Sequence, residues 1–142
     1  MNDRQTLPAT PWHLWAVGGL LLIWNGLAAF SYAATAIRFE PYLSSFPKDA
    51  LDYYLNAPAW MSVMWGVSTV GGFLGAALLL LRRKIAVPVF VVSWICSVAA
   101  VFYTHMNPPP GGGDTMFAVA VLIAALLVVF YMVWLSRRGV LR

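Results

Sequence analysis

Four long apolar stretches alternate with short polar ones along this chain. Residues 12–36, 58–81, 85–104 and 115–135 contain no Asp, Glu, Lys or Arg. Each has about 20 residues or more, the length a helix needs to cross a bilayer core. The pattern predicts an all-α membrane protein: one domain over residues 1–142, with four transmembrane helices at about those bounds. Between the first two spans, Ile37–Ala57 carries Arg38, Glu40, Lys48, Asp49 and Asp52 and must lie outside hydrocarbon. Pro47 is placed to open a short helix running to about Leu55, because proline suits a first helical position. Leu51, Tyr54 and Leu55 then share one face and Asp49 and Asp52 another, as in a helix lying in the membrane interface. Asn56 or Ala57 is expected to cap the second span.

The remaining connections are shorter. Arg82-Arg83-Lys84 separates the second and third spans, and so short a turn returns the chain antiparallel. Asn107–Asp114 is a proline- and glycine-rich loop, with Asp114 placed to cap the fourth span. Arg137 and Arg138 suit the negative end of that helix, and Gly139 can end it in the left-handed conformation. Met1–Pro11 is polar, with Pro8 and Pro11 favouring an extended entry. Ala34-Thr35-Ala36 resembles a signal-cleavage site, but the apolar run before it exceeds the 7–15 residues usual for a signal peptide. The first span is therefore expected to remain a membrane helix.

Composition agrees. Of 142 residues, 61% are hydrophobic and 10% charged, against about 25% charge in a soluble domain. The net charge of +4 does not indicate nucleic acid, because the cations sit at the ends of the apolar segments. With Arg82, Arg83 and Lys84 on the cytoplasmic side, Arg4, Arg137, Arg138 and Arg142 join them, leaving only Arg38 and Lys48 outside: seven cations against two. This is the positive-inside distribution, with both termini cytoplasmic and the short helix between spans one and two periplasmic.

Few residues offer chemistry. Asn25 lies near the middle of the first span, where an amide needs a partner. Its face reads Gly18, Leu22, Asn25, Ala29, Tyr32, Ala36, and a matching face of the third span reads Ala86, Phe90, Ser93, Ser97, Ala100, Thr104. Ser93 and Trp94 are candidate partners for Asn25. Asn25, Ser93, Trp94 and Ser97 form either a mid-membrane site for a polar solute or a structural hydrogen-bonded junction; the second is favoured, since bundles use such contacts as glue. Ser68, Gly72 and Ala76, four residues apart, form a smooth ridge for close helix approach. Trp24, Trp65 and Trp94 are expected to fill the core. Cys96 has no second cysteine and reads as a small buried thiol. His13 and His105 fall at opposite ends of spans and cannot share one haem or metal. The outer segment gathers charged and aromatic residues suited to a sugar or a protein partner, but is expected to act as a lid. No spanning acid suits proton-coupled export, no catalytic arrangement is present, and no cofactor is expected.

Several short motifs carry a resemblance: Trp24-Asn25, Ala57-Pro58-Ala59-Trp60, Gly71-Gly72-x-x-Gly75, Val87-Pro88-Val89-Phe90 and Arg137-Arg138-Gly139-Val140-Leu141. Together they resemble a family of small proteobacterial inner-membrane proteins labelled as sugar transporters. The resemblance implies a bacterial inner membrane and, through the label, transport. The chain lacks the Pro-Gln pair that marks three-helix sugar transporters. The expectation is a non-enzymatic membrane protein working by helix packing, as an accessory or assembly subunit or a homo-oligomer. Its partners are then lipid and other membrane helices, and the alternative is a small oligomeric transporter of a neutral solute.

Overall fold

The computed structural model describes residues 9–142. It contains six helices among them: α1 (Trp12–Ala36), α2 (Glu40–Leu43), α3 (Lys48–Leu55), α4 (Ala59–Leu80), α5 (Ala86–Met106) and α6 (Thr115–Arg137). Four of these, α1, α4, α5 and α6, are long and apolar enough to cross a membrane. The Arg4 and Pro8 part of the expected entry segment lies outside the described residues; Pro11 is extended as expected. The third and fourth expected spans, now α5 and α6, run past their expected ends, to Met106 and Arg137, because backbone hydrogen bonds continue where the apolar run stops.

Small residues decide which helix sits in the middle. α4 packs against α1 on one side and α5 on the other, and α6 packs on α5. α4 buries Gly66, Ser68, Thr69, Gly72, Gly75 and Ala76, whereas α6 buries only Met132 and Leu135. A helix whose contact positions are mostly small lets two neighbours approach its backbone at once. The Ser68–Gly72–Ala76 ridge thus lies inside the bundle. Trp94 links the outermost helix: its indole N–H donates to the Leu122 carbonyl of α6 at 2.9 Å. That carbonyl also belongs to the α6 hydrogen-bond ladder, so deleting the donor orphans nothing. Trp94→Phe is expected to cost only about 0.6–2 kcal/mol, seen as a small fall in the midpoint of detergent unfolding.

The main hydrophobic core lies at the end of the bundle that carries the Arg82–Lys84 turn. Leu14, Leu79, Ala86, Phe90, Met132, Leu135, Val140 and Leu141 form it. At this end α6 also reaches α1, where the Tyr131 hydroxyl and His13 Nδ1 share a hydrogen bond. Farther along α6, towards Thr115, no residue is buried.

Three helices end alike. After α1, α4 and α6 the next residue but one is left-handed: Arg38 (φ 55°), Arg82 (φ 58°) and Gly139 (φ 73°). In each, the two N–H groups past the helix turn back onto its last free carbonyls, as in Arg82 N–H to Leu79 O and Arg83 N–H to Leu78 O, both 2.9 Å. Gly139 suits this conformation at no steric cost, but an arginine there costs about 1–2 kcal/mol. At Arg82 the residues after α6 offset it. Arg142 N–H donates to Arg82 O and Lys84 N–H donates to Arg142 O, both at 2.6 Å, and Arg82 Nε donates to Val140 O at 3.0 Å. The end of the chain is thereby hooked onto the turn between α4 and α5.

At the opposite end, α2 and α3 fold over the α1–α4 junction. A short helix does follow Pro47 as the sequence predicts, but Pro47 holds the position before the helix rather than its first residue, and α3 begins at Lys48. Neither Asn56 nor Ala57 caps α4; Pro58 holds that position without a side-chain cap, and the Asn56 amide donates back to Asp52 O in α3. The short asparagine side chain follows the helix it ends rather than the one ahead. The four-residue α2, entered through Phe39 and Pro41, was not expected. Asp114 does cap α6, accepting from Phe117 N–H at 2.9 Å. The loop before it turns through Gly111 (φ 86°) and Gly112 (φ 76°).

Candidate functional site

Two places along the α1–α4–α5 core bring polar groups together. The first is mid-span. Asn25 and Ser93 approach Gly72 of α4 from α1 and α5: a methyl group on Gly72 would strike Asn25 Oδ1 and come 3.3 Å from Ser93 Oγ. The polar groups here are largely spent. Ser93 Oγ donates across to Ser68 O at 2.6 Å, Ser68 Oγ donates to Trp65 O, and Ser97 Oγ donates to Ser93 O within α5. The Asn25 amide donates within its own helix, to Leu21 O at 2.9 Å, so its partner is not across the interface. The bonds that cross are those of Ser93 and Trp94.

The structure joins two groups that the sequence kept apart: Asn25 and Ser93 of the expected polar set meet Ser68 and Gly72 of the expected ridge in one layer, while Ser97 is turned back into α5 and Trp94 faces α6. Neighbouring residues on a helix point about 100° apart, so Ser93 and Trp94 cannot both serve Asn25. The same geometry puts Trp24 on the outside, 51% exposed, where a core position was expected. Cys96 is buried.

The second place lies under the α2–α3 cap. A cavity of about 250 Å³ is lined by Ser31 and Thr35 of α1, Tyr42, Leu43 and Phe46 around α2, Ala50, Leu51 and Tyr54 of α3, and Trp65 of α4. Its walls are aromatic pairs: Tyr42 with Phe46 at 5.1 Å and Tyr54 with Trp65 at 5.7 Å between ring centroids. Tyr32 packs edge-on to Trp65 at 5.3 Å and lies against Gly66, where an added Cβ would fall 2.5 Å from its ring. The polar groups are hydroxyls; Tyr42 donates to Ser31 Oγ at 2.9 Å, and no charged residue is in the lining. Aromatic faces with a few hydroxyls suit a neutral or weakly polar molecule rather than an ion. Tyr54 was legible as part of the apolar face of α3. Trp65 was assigned to the core, and Tyr42 was only one of several loop aromatics. Nothing in the sequence showed that α1 and α4 supply the floor.

The cap is pinned to α5 by Tyr53, whose hydroxyl donates to Asn107 O at 2.6 Å. Burial, then the neighbouring Tyr103 and Tyr54, push its pKa above the usual tyrosine value, so the donor persists through the physiological range. His105 is exposed near this end and His13 lies at the other. Among the described residues no three His, Cys, Asp or Glu side chains are grouped to hold a metal ion.

Comparison with models of protein families, with curated proteins and with solved structures finds no match in any of the three.

Proposed function

We propose that this is a small polytopic protein of a bacterial inner membrane that acts by helix packing, as an accessory or assembly subunit. The observation that carries this reading is the mid-span layer. Asn25, Gly72 and Ser93 are so close that a methyl group does not fit between them, and the hydroxyls are already bonded. A solute pathway needs room and unspent polar groups at that depth. Both termini and the Arg82–Lys84 turn are cytoplasmic in this reading, and α2 and α3 form a periplasmic interfacial cap. α6, which buries only two residues in the monomer, then offers its remaining length to lipid or to another helix.

The test is purification in mild detergent followed by mass determination of the protein–detergent complex. A stoichiometric membrane partner or a defined homo-oligomer, weakened by Asn25→Leu, is the expected result. A monodisperse monomer whose behaviour Asn25→Leu leaves unaltered overturns the reading.

A second reading, a small oligomeric transporter of a neutral solute such as a sugar, draws support from the cavity beneath α2 and α3. Its aromatic and hydroxyl lining is right for such a solute, and the cavity lies directly above the packed layer. Solute flux in liposomes that is lost in Asn25→Leu, with assembly unchanged, would favour transport over packing.

A further inference from the structure

The hook between the end of the chain and the α4–α5 turn gathers side chains as well as backbone, around a space open on one side. A cavity of about 330 Å³ is lined by Leu81, Arg82, Arg83 and Arg142. Three of its four lining residues are guanidinium-bearing, Lys84 follows directly in sequence, and no acid is among them. The acids of the described residues lie at the far end of the bundle: Glu40 in α2, Asp49 and Asp52 in α3, and Asp114 before α6. Arg82 is held in place, not waving in solvent. Its backbone is left-handed, its N–H and C=O are both bonded, and its Nε donates to Val140 O. Yet its Nη2 is buried with no acceptor at all. A buried guanidinium nitrogen without a partner is costly, and three like charges around one cavity add to the cost. The chain brings these groups together, and no acidic side chain lines the cavity to offset them.

We propose that this cavity is a phosphate site, filled by the phosphate of an anionic lipid headgroup or by free inorganic phosphate. A tetrahedral dianion or a phosphodiester presents several acceptors at the spacing that guanidinium forks match. An anion seated on the open side of the cavity places its charge beside Arg82, Arg83 and Arg142 together. The position suits either source: the turn joins two membrane-spanning helices and therefore lies at headgroup level, where basic pockets between helices take anionic lipid. Occupancy would tie α4, α5 and the residues after α6 into one unit. The inference does not depend on whether the protein assembles with a partner or transports a solute.

The experiment uses the full chain in an uncharged detergent at fixed ionic strength, with thermal unfolding and native mass spectrometry as readouts. Phosphatidylglycerol, phosphatidylcholine and inorganic phosphate are added separately. Neither the Arg83 nor the Arg142 side chain takes part in the backbone hook, so R83Q/R142Q is the variant chosen to keep the fold. Phosphatidylglycerol is expected to raise the unfolding temperature and to survive as a bound adduct, with affinity about tenfold or more lower in R83Q/R142Q. Inorganic phosphate reproducing the shift, with the same loss in the variant, assigns the site to the free anion. Phosphatidylcholine binding as tightly as phosphatidylglycerol, equal binding to wild type and R83Q/R142Q, or no response to any of the three overturns the proposal.

Discussion

Gly72→Val is expected to unfold this protein more readily than any other single change of similar size, whereas Gly19→Ala should leave it unharmed. Both glycines sit inside long apolar helices, and composition alone gives no reason to rank them. The surroundings do. A Cβ on Gly19 meets nothing within 4 Å, while one on Gly72 strikes Asn25 Oδ1 and crowds Ser93 Oγ. The asparagine cannot swing aside without giving up its bond to Leu21 O, nor Ser93 without giving up Ser68 O. Pushing α1 and α5 apart instead opens the interfaces on both sides of the central helix. Overpacking of this kind costs about 1–3 kcal/mol, and the branched valine reaches the upper part of that range or beyond. Gly19→Ala should instead gain up to about 0.5–1 kcal/mol from the helical backbone. Midpoints of unfolding in mixed dodecyl sulfate micelles check both. Equal midpoints for the two variants would mean that α4 is not held between α1 and α5.

That contrast also shows what the sequence could and could not reveal. The four spans were legible because hydrocarbon demands an unbroken run of apolar side chains, and such a run needs no tertiary knowledge to detect. Helix ends marked by Asp114, Pro47 and Gly139 were legible for a local reason: each acts on backbone within a turn of itself. Arg38 and Arg82 were not, although both take the left-handed position that glycine usually fills. What holds Arg82 there is Val140 and Arg142, some 58 residues away for the Nε bond, and no local pattern encodes that. The candidate site divides in the same way. The ridge of Ser68, Gly72 and Ala76 is a periodicity and could be seen. The partnership of Asn25 with its own helix, the turning of Trp94 towards α6, and the meeting of Ser31, Tyr42, Tyr54 and Trp65 around one cavity depend on which helix lies beside which. Apolar helices of similar length give no ordering of neighbours until the small residues of α4 are matched with specific side chains across from them.

The second large effect concerns orientation, and its expected outcome is all-or-none. In a Cys96→Ser background, a single cysteine placed at Arg83 should resist a membrane-impermeant thiol reagent in intact cells and react once the inner membrane is opened. A cysteine at Lys48, in the exposed first turn of α3, should react in both. The argument is energetic. Each basic residue near a helix end resists translocation, and in the threading proposed above seven of the nine fall on the side of the Arg82–Lys84 turn. The fold puts several of these on one small surface: Arg82, Arg83 and Arg142 surround a single cavity, and Arg138 lies 4.2 Å over the Trp134 ring nearby. Moving that end across the bilayer would require carrying the whole cluster together, whereas among the described residues the opposite end holds only Arg38 and Lys48 beside four acids. Replacing Arg82, Arg83 and Lys84 by glutamine removes three of the seven and still leaves a majority, so labelling should stay as in the parent. Adding Arg137→Gln and Arg138→Gln erases the bias, and a mixed population should then be labelled from both sides. Reaction of the cysteine at Arg83 in intact cells of the parent would reverse the orientation and place the α2–α3 cap, with its aromatic cavity, in the cytoplasm.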